Sequence, residues 1–264
     1  MVSAEQKFRE AVEELTDIVI SNRPSQNQSI DQYFMDKESM VRQAVDYYSF
    51  LEGKNVIFLG DGDGASSHFE LIAEKGLLKP MANATLFDID ERILNYHRRI
   101  QSRYCVDTSV LNFVHYNVLE PIPEEYRGKY ELFYINPPYG SANNGNSTIV
   151  WIHRCLSACK RRCQGCIVIP NDPRFPWSVE AYEHIKEFVR EKGFRIVHEE
   201  MNIHKYVAAK IYSSTLFVDT DEAVPSEYED TEFPAELIEA LYGANDPEIP
   251  SRIYDDGTEF GEKR

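Results

Sequence analysis

From residue 55 onward the chain alternates between two periodicities. Short apolar runs at 55–59, 84–88, 111–115, 131–135 and 165–169 are separated by stretches with apolar residues at helical spacing, near 65–76, 91–103, 147–162 and 178–192. Parallel strands need long crossovers, and helices of this length supply them, so the runs are expected to lie side by side in one sheet covered on both faces. Two further strand-like runs, 194–201 and 213–219, are joined by 202–212, a link too short for a helical crossover. They should form an antiparallel hairpin. The sequence thus predicts an α/β fold, a three-layer α/β/α Rossmann-like sheet of seven strands with the last strand antiparallel.

Ahead of this pattern, Ser3 and Gln6 read as a capping box for a helix carrying Phe8, Val12, Leu15 and Val19, and Asp36 reads as the cap of a second helix. The expected organisation is a helical N-terminal extension over 1–51, a catalytic domain over 52–219 and an acidic C-terminal tail over 220–264. Within that tail only "FPAELIEALYG" has a pattern able to dock.

The net charge is −16, but residues 219–264 hold 15 acidic and 3 basic side chains, so the body is nearly balanced. No basic stripe tracks a phosphate backbone, which disfavours nucleic acid and favours a cationic small molecule. No apolar run is long enough to span a membrane, and the N-terminus is polar, so a cytoplasmic protein is expected, with no membrane partner. Assembly into a homo-oligomer is compatible with the sequence. Five cysteines, an odd number, argue against a disulfide framework. Cys155, Cys159 and Cys163, four apart, are expected along one helix as small buried hydrophobes, with no metal.

Two strand ends concentrate the chemistry. "NVIFLG" runs into "DGDGASS", a glycine loop (Gly60, Gly62, Gly64) opening a helix, as in nucleoside-binding folds. Asp61 and Asp63 would repel a phosphate, so the loop suits a cationic ligand. Asp88, at the end of the second apolar run, is placed to accept ribose hydroxyls. Asn117, past the third, is placed for an adenine edge or for a turn. The fourth run stops on Asn136-Pro137-Pro138-Tyr139. The Asn136 oxygen and the Pro137 carbonyl can both accept from one NH₂ group, aiming its lone pair at an electrophile while Tyr139 stacks or packs behind it. Two prolines limit rearrangement of that corner.

Together these features resemble the class I S-adenosylmethionine-dependent methyltransferase fold over residues 52–219, where "NPPY" is associated with methylation of exocyclic amino groups. One departure is Phe58, which replaces the acid usual before the first glycine. "RPSQNQSIDQY", "VIFLGDGD", "LFDIDER" and "IVIPNDP" resemble more closely the branched-chain polyamine synthases, the N4-bis(aminopropyl)spermidine synthases, over residues 20–220. That resemblance implies decarboxylated S-adenosylmethionine as co-substrate and aminopropyl transfer to a polyamine nitrogen. The family's Gly-Asp-Asp-Asp motif falls on Gly60, Asp61, Gly62 and Asp63, with the middle acid replaced by Gly62. Archaeal members also carry an N-terminal winged-helix domain, for which this sequence has no room.

The candidate acceptors differ in what they require. A polyamine nitrogen resembles a lysine amine, so its neutral form costs about 4–5 kcal/mol at pH 7. A carboxylate must take the proton, and Asp61, Asp63 and Asp172 are candidates. An adenine amino group is already neutral, but its enzyme needs a nucleic-acid track. The acid-rich loop favours aminopropyl transfer to a polyamine. The alternatives are S-adenosylmethionine-dependent methylation of an adenine amino group or similar planar amine, and a non-catalytic ligand-binding homologue. Trp177 is a candidate channel wall, while His204 and Tyr206, in the last connection, receive no role.

Overall fold

The protein is described here by a computed structural model covering residues 3–105 and 107–242. Seven strands form one sheet: β1 (Asn55–Leu59), β2 (Asn83–Asp88), β3 (Leu111–His115), β4 (Tyr130–Ile135), β5 (Cys159–Pro170), β6 (Arg195–Lys205) and β7 (Tyr212–Thr220). Their order is β3-β2-β1-β4-β5-β7-β6, and β7 runs antiparallel to both its neighbours. The expected α/β fold and terminal hairpin are therefore present. Because the chain moves outward from β1 to β2 and β3, then returns to place β4 on the other side, a crevice opens beyond the carboxyl ends of β1 and β4. Open α/β sheets bind ligands at such a switch point.

Alternate residues of the central strands enter opposite cores. Val56, Phe58, Leu132 and Tyr134 face one side, where α1 (Ala4–Asn22), α2 (Lys37–Leu51), α3 (Ala65–Glu74) and α4 (Glu91–Tyr104) pack. Ile57, Leu59, Phe133 and Ile135 face the other, covered by α5 (Asn146–Ala158) and α6 (Pro176–Glu191). Burial on both faces explains why these strands read as unbroken apolar runs. The first two helices share the first core through Val12, Leu15, Met40 and Tyr47. Ser3 caps α1 by accepting from the Gln6 amide (3.1 Å), although the Gln6 side chain bonds Glu10 and leaves the box half made. Asp36 caps α2 through the Ser39 amide (2.9 Å).

Two expectations are corrected. The third crossover helix ends at Ala158, and β5 begins at once with Cys159. Lys160, Arg161 and Arg162 are exposed, so no apolar stripe carries the helix further. Cys155 is buried in α5, whereas Cys159 and Cys163 both lie in β5 and form a disulfide, so the odd cysteine number misled. Among the described residues no three His, Cys, Asp or Glu side chains gather where a metal could be held, and no helix is long and apolar enough to cross a membrane.

The second correction is to the tail. Residues 226–242 run over the α5 face, and Phe233, Leu241 and Tyr242 join its core, with a single helical turn, α7 (Ala235–Ile238), between them. The stretch expected to dock does so as far as Tyr242; residues 243–264, including the rest of that acidic segment, lie outside the described residues.

Candidate active site

A cavity of about 370 Å³ opens where β1, β2 and β4 end. Gly60, with φ +75°, turns the chain out of β1; a side chain there would meet the indole nitrogen of Trp151 at 3.4 Å. Gly60, Asp61, Gly62 and Asp63 form one wall, as the sequence led us to expect. Gly64 does not line the cavity. At φ +90° a Cβ would lie 2.6 Å from Val19 Cγ1 and closer still to the Tyr96 hydroxyl, so this glycine serves close packing of α1 and α4 rather than a ligand.

The two loop aspartates do different jobs. Asp61 accepts from the backbone amides of Gly64 (3.2 Å), Ala65 (2.8 Å) and Ser66 (2.7 Å), completing the start of α3. Burial pushes its carboxyl up to about 7 against the pull of those bonds. Asp63 accepts from the Met35 amide (2.6 Å), the Arg23 guanidinium (3.2 Å) and the Asn136 side-chain nitrogen (2.8 Å). Burial holds it at about 6, with Arg23 the main opposing influence. The glycine loop and the proline corner are thus joined by a direct hydrogen bond.

That bond fixes the orientation of Asn136. An ionised carboxylate only accepts, so the amide nitrogen must face Asp63 and the oxygen must face the other way. The oxygen accepts from the Tyr206 hydroxyl at 2.9 Å. Sequence reasoning gave that oxygen to a ligand; it already holds one donor and keeps one lone pair. Tyr139 meets Tyr206 edge to face with ring centres 5.5 Å apart, and Pro137, Tyr139 and Tyr206 all line the cavity. Tyr206 carried no signal in the sequence: it sits in a hairpin connection, and only the fold brings it to the Asn136 corner.

Asp88 lines the cavity beside the glycine loop and accepts the amides of Asp61 (3.2 Å) and Asp90 (2.8 Å). Burial, reinforced by the Asp90 charge, lifts it to about 7. Asn117 does not line the cavity, whereas its neighbours Tyr116 and Val118 do; its side-chain oxygen accepts the Leu119 amide (3.0 Å). Asp172 also lies outside the wall. Arg174 grips it at 2.9 Å and holds its carboxyl down at about 2, too weak a base to deprotonate an amine. Trp177 does line the cavity.

The acid that sequence reasoning missed is Asp31. It follows Ile30 in the loop between α1 and α2, in the left-handed region at φ 55°. Its carboxylate accepts the Tyr139 amide (3.2 Å) and lines the cavity, and burial pushes it up to about 6. The same loop sends Arg23 to Asp63 and lays Gln32 and Phe34 against Gly62, within 3.2 and 3.3 Å of where a Cβ would stand. Among the described residues that line the cavity none is Lys or Arg.

This arrangement was compared with known proteins. A family model described as the branched-chain polyamine synthase A C-terminal domain matches residues 10–236. No curated protein matches the sequence. Among solved structures, the branched-chain polyamine synthase of Thermus thermophilus, in complex with N4-aminopropylspermidine and 5'-methylthioadenosine, superposes with a TM-score of 0.70 at 20% identity, covering 86% of this chain and 67% of its own. Its C9 mutein, with the same ligands, gives 0.68 at 20% identity, covering 88% and 69%. A candidate RNA methyltransferase of Pyrococcus horikoshii gives 0.54 at 15% identity, covering 81% and 98%. At these identities the structural likenesses speak for the fold.

Proposed function

Because the chain belongs to the branched-chain polyamine synthase A C-terminal domain family, we propose that it transfers an aminopropyl group from decarboxylated S-adenosylmethionine to a polyamine nitrogen. The observation that carries this reading is the charge of the cavity wall, with Asp31, Asp61, Asp63 and Asp88 in it and no basic residue among the described ones. S-adenosylmethionine would bring a carboxylate into that wall without a partner, which is costly in a buried site. Its decarboxylated form brings only positive charge, as does a polyamine. The Thermus relatives, whose structures hold an aminopropylated spermidine and 5'-methylthioadenosine, support the same chemistry.

In this reading Asp88 takes the ribose hydroxyls and the backbone around Gly60 lets the nucleoside approach. The amine nitrogen attacks the carbon bonded to sulfonium sulfur; an N–C bond forms, the C–S bond breaks, and its electron pair returns sulfur to a neutral thioether. The Pro137 carbonyl and the remaining Asn136 lone pair orient the amine hydrogens, with Asp63 and Tyr206 fixing Asn136 from either end. Asp31 takes the proton. It is the better placed base because one amide holds it, whereas Asp61 binds three and Asp63 binds an arginine as well as two amide groups.

Methylation of a planar amine is the second reading, and the intact Asn136–Tyr139 corner favours it. Turnover separates the two. Mass spectrometry of the products formed from spermidine should find an aminopropyl adduct and 5'-methylthioadenosine when decarboxylated S-adenosylmethionine is the donor; a methylated amine formed only from S-adenosylmethionine would overturn the proposal.

A further inference from the structure

The family match ends at residue 236, yet the chain continues into the cavity wall. Past α7, Ala240 enters the left-handed region (φ 52°) and reverses the backbone, so that Leu241 and Tyr242 turn inward and are buried. Two side chains from the segment after the proline corner hold this turn. The Asn143 amide donates to the Glu239 carbonyl (2.9 Å), and the Ser147 hydroxyl donates to the Leu241 carbonyl (2.6 Å). Further back, the buried Arg154 of α5 donates to the carbonyls of Tyr228 and Thr231 and lies 4.1 Å above the Phe233 ring.

The end point of this strap is specific. Tyr242 lines the cavity with its ring edge to face against Trp151, centres 6.1 Å apart, and Trp151 is the residue that stands over Gly60. The Trp151 contact sets Tyr242 beside the Gly60 turn at the end of β1, and burial together with the nearby Asp88 carboxylate raises its phenol.

Resting on the functional reading above, we propose that the segment 228–242 is a strap that completes the nucleoside half of the cavity, with Tyr242 as a positioning residue for the sulfonium nucleoside. The purine nucleoside would then be held between the β1–β2 side of the sheet and a ring delivered from the far end of the chain. Because Asn143 and Ser147 follow the proline corner directly, the strap also ties the nucleoside wall to the amine-orienting segment.

Calorimetry with 5'-methylthioadenosine, paired with separate KM values for donor and spermidine, tests this in the full chain. For Tyr242→Ala, nucleoside affinity should fall about tenfold and donor KM should rise in parallel, the scale of one lost aromatic contact to a base. Spermidine KM should stay within about twofold on the same principle. Tyr242→Phe should bind nearly as the parent does, and Tyr242→Leu, which keeps apolar volume, should still lose affinity and covers the case in which the alanine variant fails to fold. If the parent binds no nucleoside, the functional reading fails. If the parent binds and the Ala and Leu variants bind equally well, or if donor and amine constants worsen together, the strap inference is overturned while that reading stands.

Discussion

Burial holds the Asp31 carboxyl at about 6, so as pH falls through that value it gains a proton and can no longer accept one from an amine. The rate with spermidine should therefore steepen its decline below about pH 6, beyond the loss caused by protonation of the amine itself. Asp31→Asn should remove that extra break and lower kcat/KM for the amine by about a hundredfold, the low end of what a positioned base supplies; a pH–rate profile of the two proteins checks both. An unchanged profile would return the role to Asp63. Asp31 was hard to find because a loop aspartate after a short apolar residue has many ordinary uses. What distinguishes it is the Tyr139 amide, a partner 108 positions away. Asp63 was legible as a site residue but not in its task, since neither Arg23 nor Met35 announces itself as its partner.

Among the elements, the strands were written plainly because burial on both faces leaves apolar runs, and the crossover helices because apolar residues recur in them at helical spacing. The C-terminal segment was not, because its contacts are carbonyls and scattered rings rather than a period. Arg154 shows the consequence: a lone arginine in an apolar helix has no readable partner, yet it is fully buried and donates to carbonyls of Val118, Leu119, Tyr228 and Thr231. Arg154→Leu would leave those acceptors unpaired, so urea unfolding should show a loss of about 3 kcal/mol or more. Nucleoside binding should weaken with it, since the same arginine holds the strap that carries Tyr242. The end of α5 was misread for a related reason: cysteines four apart imitate a helical stripe, although two of them belong to a strand.

For the whole molecule, the fold is shared with methyltransferases and does not choose the reaction; the Pyrococcus likeness shows how far the sheet alone generalises. The choice rests on charge. The body of the chain is nearly balanced, but its cavity gathers four carboxylates whose pKa values are raised chiefly by burial, with Arg23 opposing that shift at Asp63. That acidity was visible as Asp61 and Asp63 flanking the glycines, while the absence of any basic residue from the described wall could be known only once distant segments were brought together. Titrating the protein with S-adenosylmethionine and with its decarboxylated form, at neutral pH in a calorimeter, tests this claim most directly. The decarboxylated compound should bind about tenfold tighter or more, as expected when a buried carboxylate would otherwise lack a partner. Equal or tighter binding of S-adenosylmethionine would contradict the account.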